Sequence, residues 1–315
     1  MLATNRGATG ASAPSRAAAH RQLVGALCVV FTALGWGLNW PATKLLIVTC
    51  PPMSARGFSG LVACVLLFAL AAVSRETLTV ARTDWGRLVL GGLLNVTVWM
   101  GGTTASLRWL PAGQAVTLAY TMPIWVCLLA WPVLQERPTI RQVAAIAMGA
   151  TGIIVLVGLD SLAFQRADAP GIALALLAAI LFAFSTVYGK MRPLALPPLS
   201  LTAWQVGIGS IPLAVFGFIF EAPDFAALTT FGWAALAYTA AISMGLCYVL
   251  WFMARSRLSA PAAATGTLLT PVIGVIASAL ALGDALTWNQ LIALGLVTIG
   301  IVLASRPVAA ATRTP

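Results

Sequence analysis

The sequence predicts an all-α polytopic membrane protein whose ten transmembrane helices form two inverted five-helix repeats, and three observations carry that expectation. Of the 315 residues, 60% are hydrophobic and 8% are charged, whereas a soluble domain carries about 25% charged residues to face water. Apolar stretches long enough to cross a bilayer, about 20 residues at 1.5 Å each, recur ten times along the chain. The second half also repeats proline, glutamine and acidic positions of the first.

Taken in order, residues 1–21 are rich in Ala and Ser, carry Arg6, Arg16 and Arg21, and lack acids. A transit peptide shares that composition, but a cytoplasmic tail fits it better. A cleaved signal peptide fits poorly, because the apolar run from Leu23 continues past Trp36 without a small-residue cleavage site. Charge clusters, prolines and turn residues then mark spans near 22–46, 54–73, 86–107, 111–134 and 139–159. A second set follows near 170–190, 199–220, 232–254, 259–282 and 287–305. The first repeat occupies 22–160, the second 161–305, and a cytoplasmic C-terminal tail 306–315.

Laying 110–155 over 258–303 without a gap places Leu110 on Leu258, Thr117 on Thr265, Pro123 on Pro271 and Gln142 on Gln290. Glu136 falls on Asp284, and a register two residues shorter sets Lys44 on Lys190. Five spans per half is an odd number, so the halves enter the membrane with opposite orientation, as in alternating-access transporters. With the N-terminus inside, fourteen Lys and Arg lie on the inner side and four (Lys44, Arg56, Arg108 and Arg166) on the outer. That bias sets both termini in the cytoplasm of a bacterial inner membrane.

The net charge of +10 arises from basic residues in breaks between apolar runs, which membrane topology explains without nucleic acid. The five cysteines show no metal-ligand spacing, and no cofactor is implied. The single histidine, His20, precedes the first span, and no HExxH, paired intramembrane Asp, Walker A or GxGxxG set occurs. An intramembrane enzyme or a nucleotide-driven pump is therefore not expected.

These features together resemble the drug/metabolite transporter superfamily, in particular the EamA-type permeases, over about residues 22–305. The resemblance is carried by Trp36-Gly37-Leu38-Asn39 with Lys44 downstream and by Leu110-Pro111-Ala112-Gly113-Gln114-Ala115. Pro123, Glu136 and their copies at Ala260-Pro261-Ala262, Pro271 and Asp284 complete it. The second half departs from the first at its opening, where Ser185-Thr186 replaces the Asn39 region. The resemblance implies a ten-span exporter of small metabolites, similar to the YddG-type amino-acid exporters, while relatives also handle organic cations, sugars and nucleotide derivatives.

Polar groups in hydrocarbon need partners or a wet cavity. The residues expected to line a central cavity are Trp36, Asn39, Asn95, Trp99, Tyr120, Tyr188, Gln205, Tyr248, Thr267 and Thr270. Helix-to-helix bonding is the competing account of such groups, above all for the threonines. Trp36 and Trp99 fall near mid-span and could wall a site for aromatic or aliphatic solutes and organic cations, whereas tryptophans such as Trp85 and Trp288 sit at span ends as anchors. Pro123 and Pro271 are the expected hinges, since a mid-helix proline frees the carbonyl four residues earlier. Lys44 and Lys190 are the expected gate residues, with snorkelling anchors as the alternative. Gly91-Gly92, Gly149/Gly152 and Gly295/Gly300 offer close-approach faces for helix packing or a homo-oligomer. No Asp or Glu lies near mid-span, which points to a facilitator or exchanger. A passive channel shares the same polar faces.

Overall fold

The structure is a computed structural model describing residues 16–134, 140–157, 167–255, 257–258 and 269–305. Among these residues every regular element is helical. The first half supplies α1 (Arg16–Leu46), α2 (Pro52–Val73), α3 (Arg82–Ser106), α4 (Ala112–Leu134) and α5 (Ile140–Val157). The second supplies α6 (Ala169–Met191), α7 (Pro198–Glu221), α8 (Thr230–Trp251), α9 (Leu269–Leu282) and α10 (Trp288–Ser305). Among the described residues, seven helices are long and apolar enough to cross a membrane, namely α1 to α4 and α6 to α8. The opening of the ninth expected span, 259–268, lies outside the described residues.

The helices pair as equivalents would. α2 packs along α7, α5 along α10, α1 against α8 and α9, and α6 against α3 and α4. The α2–α7 contact runs antiparallel: Gly57 meets Ala214, Gly60 meets Ser210 and Gly207 meets Cys64. Glycine lets the two backbones approach where any side chain would hold them apart.

Both helices open on the same tetrapeptide pattern, Pro51-Pro52-Met53-Ser54 and Pro197-Pro198-Leu199-Ser200. Proline suits the first helical position because its missing N–H would have no intrahelical partner there. The remaining free N–H groups are met across the pair. Glu221, at the end of α7, accepts from Ser54 N and Ser54 Oγ, each at 2.8 Å. Glu76, just past α2, accepts from Ser200 N and Ser200 Oγ, each at 2.9 Å. Each glutamate sits beside a left-handed residue, Arg75 (φ 55°) or Ala222 (φ 44°), that turns the chain sharply after its helix. A carboxylate at a helix N-terminus also complements the helix dipole. Glu76→Ala and Glu221→Ala are each expected to cost about 1–3 kcal/mol by orphaning these donors. Thermal unfolding in detergent checks this, and unchanged midpoints in both variants would show that the caps contribute nothing.

Two of the helical irregularities fall at matching places, while a third, the π turn at Gly217–Glu221 that ends α7, has no counterpart in α2. α3 widens into a π turn at Leu93–Val98 and α8 at Tyr238–Leu246, positions that overlap in the register that sets Lys44 on Lys190. α4 is broken at Tyr120 and Thr121 into halves Ala112–Ala119 and Met122–Leu134. Pro123 therefore sits in the first turn of the second half, with no N–H to offer the Ala119 carbonyl. Pro271 occupies the first turn of α9 as described. The glycine faces are largely used within the chain: Gly91 lies against Gln205, Gly92 against Ile208, Gly149 against Ile124 and Gly152 against Val297, while Gly295 has open space beside it.

Candidate functional site

A cavity of about 140 Å³ lies among α1, α2, α3, α4, α6 and α8. α1 contributes Trp36, Asn39 and Trp40; α3 contributes Trp99, Met100, Thr103 and Thr104; α6 contributes Phe182. Tyr120 enters from the break in α4, and Ser243, Met244 and Tyr248 come from α8. Helical spacing explains the first set: residues 36, 39 and 40 fall on one face. The π turn in α8 adds a residue to the turn and so changes which groups face the interior.

Three hydrogen bonds join α1 to that π turn. Trp36 Nε1 donates to the Ser243 carbonyl at 3.0 Å, Tyr238 Oη donates to the Gly35 carbonyl at 2.8 Å, and Thr239 Oγ1 donates to Asn39 Oδ1 at 3.3 Å. The Trp36 indole thus has the partner that burial demands of it. Its ring meets Tyr248 edge-on at 5.6 Å, Trp40 lies 6.5 Å from Tyr120, and Trp99 packs on Phe182 at 4.7 Å. The wall is largely aromatic. Thr270 is fully buried and lies beside the Tyr120 hydroxyl.

Among the described residues, one charged side chain lines this cavity. Arg56, one turn into α2, is 8% exposed; its Nε donates to Thr104 Oγ1 at 2.6 Å and its Nη2 to Thr43 Oγ1 at 3.1 Å. No Asp or Glu lines the cavity among the described residues. Lys44, near the end of α1, donates from Nζ to the Leu107 carbonyl and to the Leu110 carbonyl at 2.9 Å. It thereby ties α1 to the C-terminal end of α3, where a cation suits the helix dipole.

Of the residues expected at the site, Trp36, Asn39, Trp99, Tyr120 and Tyr248 line the cavity. Asn95 and Gln205 instead bond each other between α3 and α7, Asn95 Nδ2 donating to Gln205 Oε1 at 3.0 Å. Tyr188 stacks on Phe184 at 6.1 Å, Lys190 is exposed at the end of α6, and Thr267 lies outside the described residues. Sequence reasoning missed Trp40, Thr103, Thr104, Phe182 and Ser243, and counted Arg56 only as an outer-side cation. Its signal was available: a charge two residues inside an apolar span marks a functional candidate by default.

The profile of the EamA-like transporter family matches residues 23–158 and, separately, 169–306. The chain is 26% identical to the uncharacterized transporter YoaV of Bacillus subtilis over 88% of its own length and 95% of that protein. It is 28% identical to the uncharacterized transporter YvbV of the same organism, covering 88% of this chain and 90% of that one. A probable amino-acid metabolite efflux pump of Salmonella typhimurium is 27% identical over 85% of this chain and 90% of its own. A crystal structure superposes with a TM-score of 0.62 at 20% identity, covering 91% of this chain and 96% of that one, which bears on the fold alone.

Proposed function

The chain belongs to the EamA-like transporter family, and from that premise we propose that it exports small metabolites, amino acids including neutral and aromatic ones foremost. The cavity between α1, α2, α3, α4, α6 and α8 is the transport site, exposed to either side by alternating access. The single observation that carries this reading is that aromatic-walled cavity at the meeting of helices from both halves. Its volume, about 140 Å³, falls below the roughly 300–1,000 Å³ of sites for drug-sized ligands, which suits a small metabolite. The amino-acid assignment draws on the Salmonella relative, whose name describes a probable amino-acid metabolite efflux pump.

The architecture proposed is ten spans in two inverted repeats, with both termini cytoplasmic. Support comes from the twofold match of one family profile, the antiparallel packing of α2 on α7 and the reciprocal glutamate caps. The orientation gains from the fate of the outer cations. Lys44 is engaged by backbone carbonyls and Arg56 is buried, so neither competes with the positive-inside signal at a lipid surface. The hinge at Pro123 and Pro271 and the gates at Lys44 and Lys190 belong to the same proposal.

Counterflow in proteoliposomes tests it. Vesicles loaded with unlabelled amino acids and offered trace labelled ones are expected to show accelerated, saturable exchange that needs no pH gradient, as a facilitator or exchanger requires. Uptake that does not saturate and shows no exchange would favour a channel, and dependence on a pH gradient would overturn the facilitator reading.

A further inference from the structure

We infer that the transported solute carries a carboxylate and that Arg56 is the side chain that receives it. The inference rests on the carrier reading and names the chemistry of its solute. Arg56 is more than nine-tenths buried, yet its two recorded partners, Thr104 and Thr43, are neutral hydroxyls. The ion pairs of Arg87 with Asp84 and of Arg108 with Glu221 do not involve Arg56. A buried charge that lacks a counter-charge costs several kcal/mol, and inside a membrane such a group persists where a pathway or ligand uses it.

The local geometry prepares the group for a ligand. Thr43 comes from α1 and Thr104 from α3, so three helices fix the guanidinium through its Nε and one terminal nitrogen. A guanidinium held this way loses little entropy on binding and presents a planar fork that matches a carboxylate. The rest of the wall offers aromatic faces, Asn39 and Ser243, with no acid among the described lining residues. The cavity therefore complements a molecule with one anionic group and an apolar or zwitterionic remainder. The ammonium of an amino acid would meet ring faces such as Trp36 and Tyr248. An organic cation without a carboxylate would face a like charge at close quarters and gain no compensating acid, so this site disfavours it.

A purely structural Arg56, tying α1, α2 and α3 together, predicts no preference for the charge of the solute. The test is counterflow in proteoliposomes with labelled solutes in matched sets: each amino acid, its amide, the corresponding decarboxylated amine and the 2-oxo acid, with hexoses and nucleosides alongside. Exchange is expected only for solutes with a free carboxylate, the amides and amines being at least about a hundredfold weaker. Arg56→Gln is expected to raise the KM for carboxylate solutes thirtyfold or more, as loss of one partner of a buried charge pair does, and Arg56→Lys to fall between it and the parent. Amides or amines exchanged as well as the acids would overturn the inference and leave the carrier reading standing. So would an Arg56→Gln carrier, folded by size-exclusion chromatography, that retains the parent KM. Should that variant not fold, the comparison of acids with amides on the parent protein decides alone. No exchange of any solute in the panel by folded protein would overturn the carrier reading, and this inference with it.

Discussion

Gly57→Val is expected to leave no folded protein in detergent extracts, the largest stability effect of any single change proposed for this chain. A Cβ at position 57 would lie under 3.0 Å from the backbone nitrogen and α carbon of Ala214. Those atoms belong to α7 itself and cannot rotate away as a side-chain tip would. Overpacking a core costs about 1–3 kcal/mol where side chains can adjust, and here a whole helix must retreat. Retreat would also pull Ser54 from Glu221 and Ser200 from Glu76, since the caps join the same two helices at opposite ends. The losses are coupled, so they exceed the local clash. Gly57→Ala is expected to lower the unfolding midpoint by several degrees or more. Gly86→Ala is the control: a Cβ there meets nothing within 4 Å, and alanine in a helix is favoured over glycine by about 0.5–1 kcal/mol. Size-exclusion profiles and thermal unfolding of the three variants check the argument. A normal Gly57→Val profile would show that α2 and α7 are not packed as closely as described.

The helices were legible because the signal for a helix that crosses a bilayer is composition over about 20 residues, and it needs no knowledge of neighbours. Hence α2, expected at 54–73, is found at Pro52–Val73, and α6, expected at 170–190, at Ala169–Met191. The aromatic part of the cavity was legible for a related reason: Trp36 and Asn39 share a helix face, and large polar-tipped rings near mid-span need partners. Contacts between helices were not legible. Asn95 has the same spacing argument as Trp36, yet its partner is Gln205 on α7, and nothing local to span three reveals which helix it faces. The π turns were not legible either, since nothing in Leu93–Val98, Gly217–Glu221 or Tyr238–Leu246 marks them by residue type. Arg56 was read for topology alone because a positive charge near a span end ordinarily reports the side of the membrane. Only the hydroxyls of Thr43 and Thr104, from two other helices, show that it points into the protein. The repeated Pro-Pro-x-Ser at 51–54 and 197–200 was readable in principle, in the register already given by Lys44 and Lys190, and it marks the two helix starts that the glutamates cap.

Under the proposed gate role of Lys44, Lys44→Met is expected to raise the rate at which a membrane-impermeant thiol reagent reaches a cysteine at position 107 by about five- to 150-fold. Leu107 lines the cavity and is 1% exposed, so Leu107→Cys reports on access, in a background with the five native cysteines replaced by alanine. The magnitude follows from the bonds lost. Lys44 donates to the Leu107 and Leu110 carbonyls, and hydrogen bonds to charged groups contribute about 1.5–3 kcal/mol in water-soluble proteins but nearer 0.6 kcal/mol on average within membranes. A total of about 1–3 kcal/mol corresponds to that range of population shift. Methionine keeps most of the stem and its packing, which separates loss of the charge from loss of bulk. Lys190→Met, at the opposite end of the bundle by the repeat, is expected not to raise the labelling rate. Two results would remove the gate role. Unchanged labelling in Lys44→Met would leave Lys44 as a helix cap alone, and faster labelling with a collapsed unfolding midpoint would report general loosening instead of a shift between two closed ends. An increase confined to Lys44→Met, at an unchanged midpoint, makes the contact between α1 and the end of α3 one of the two barriers that alternate during transport.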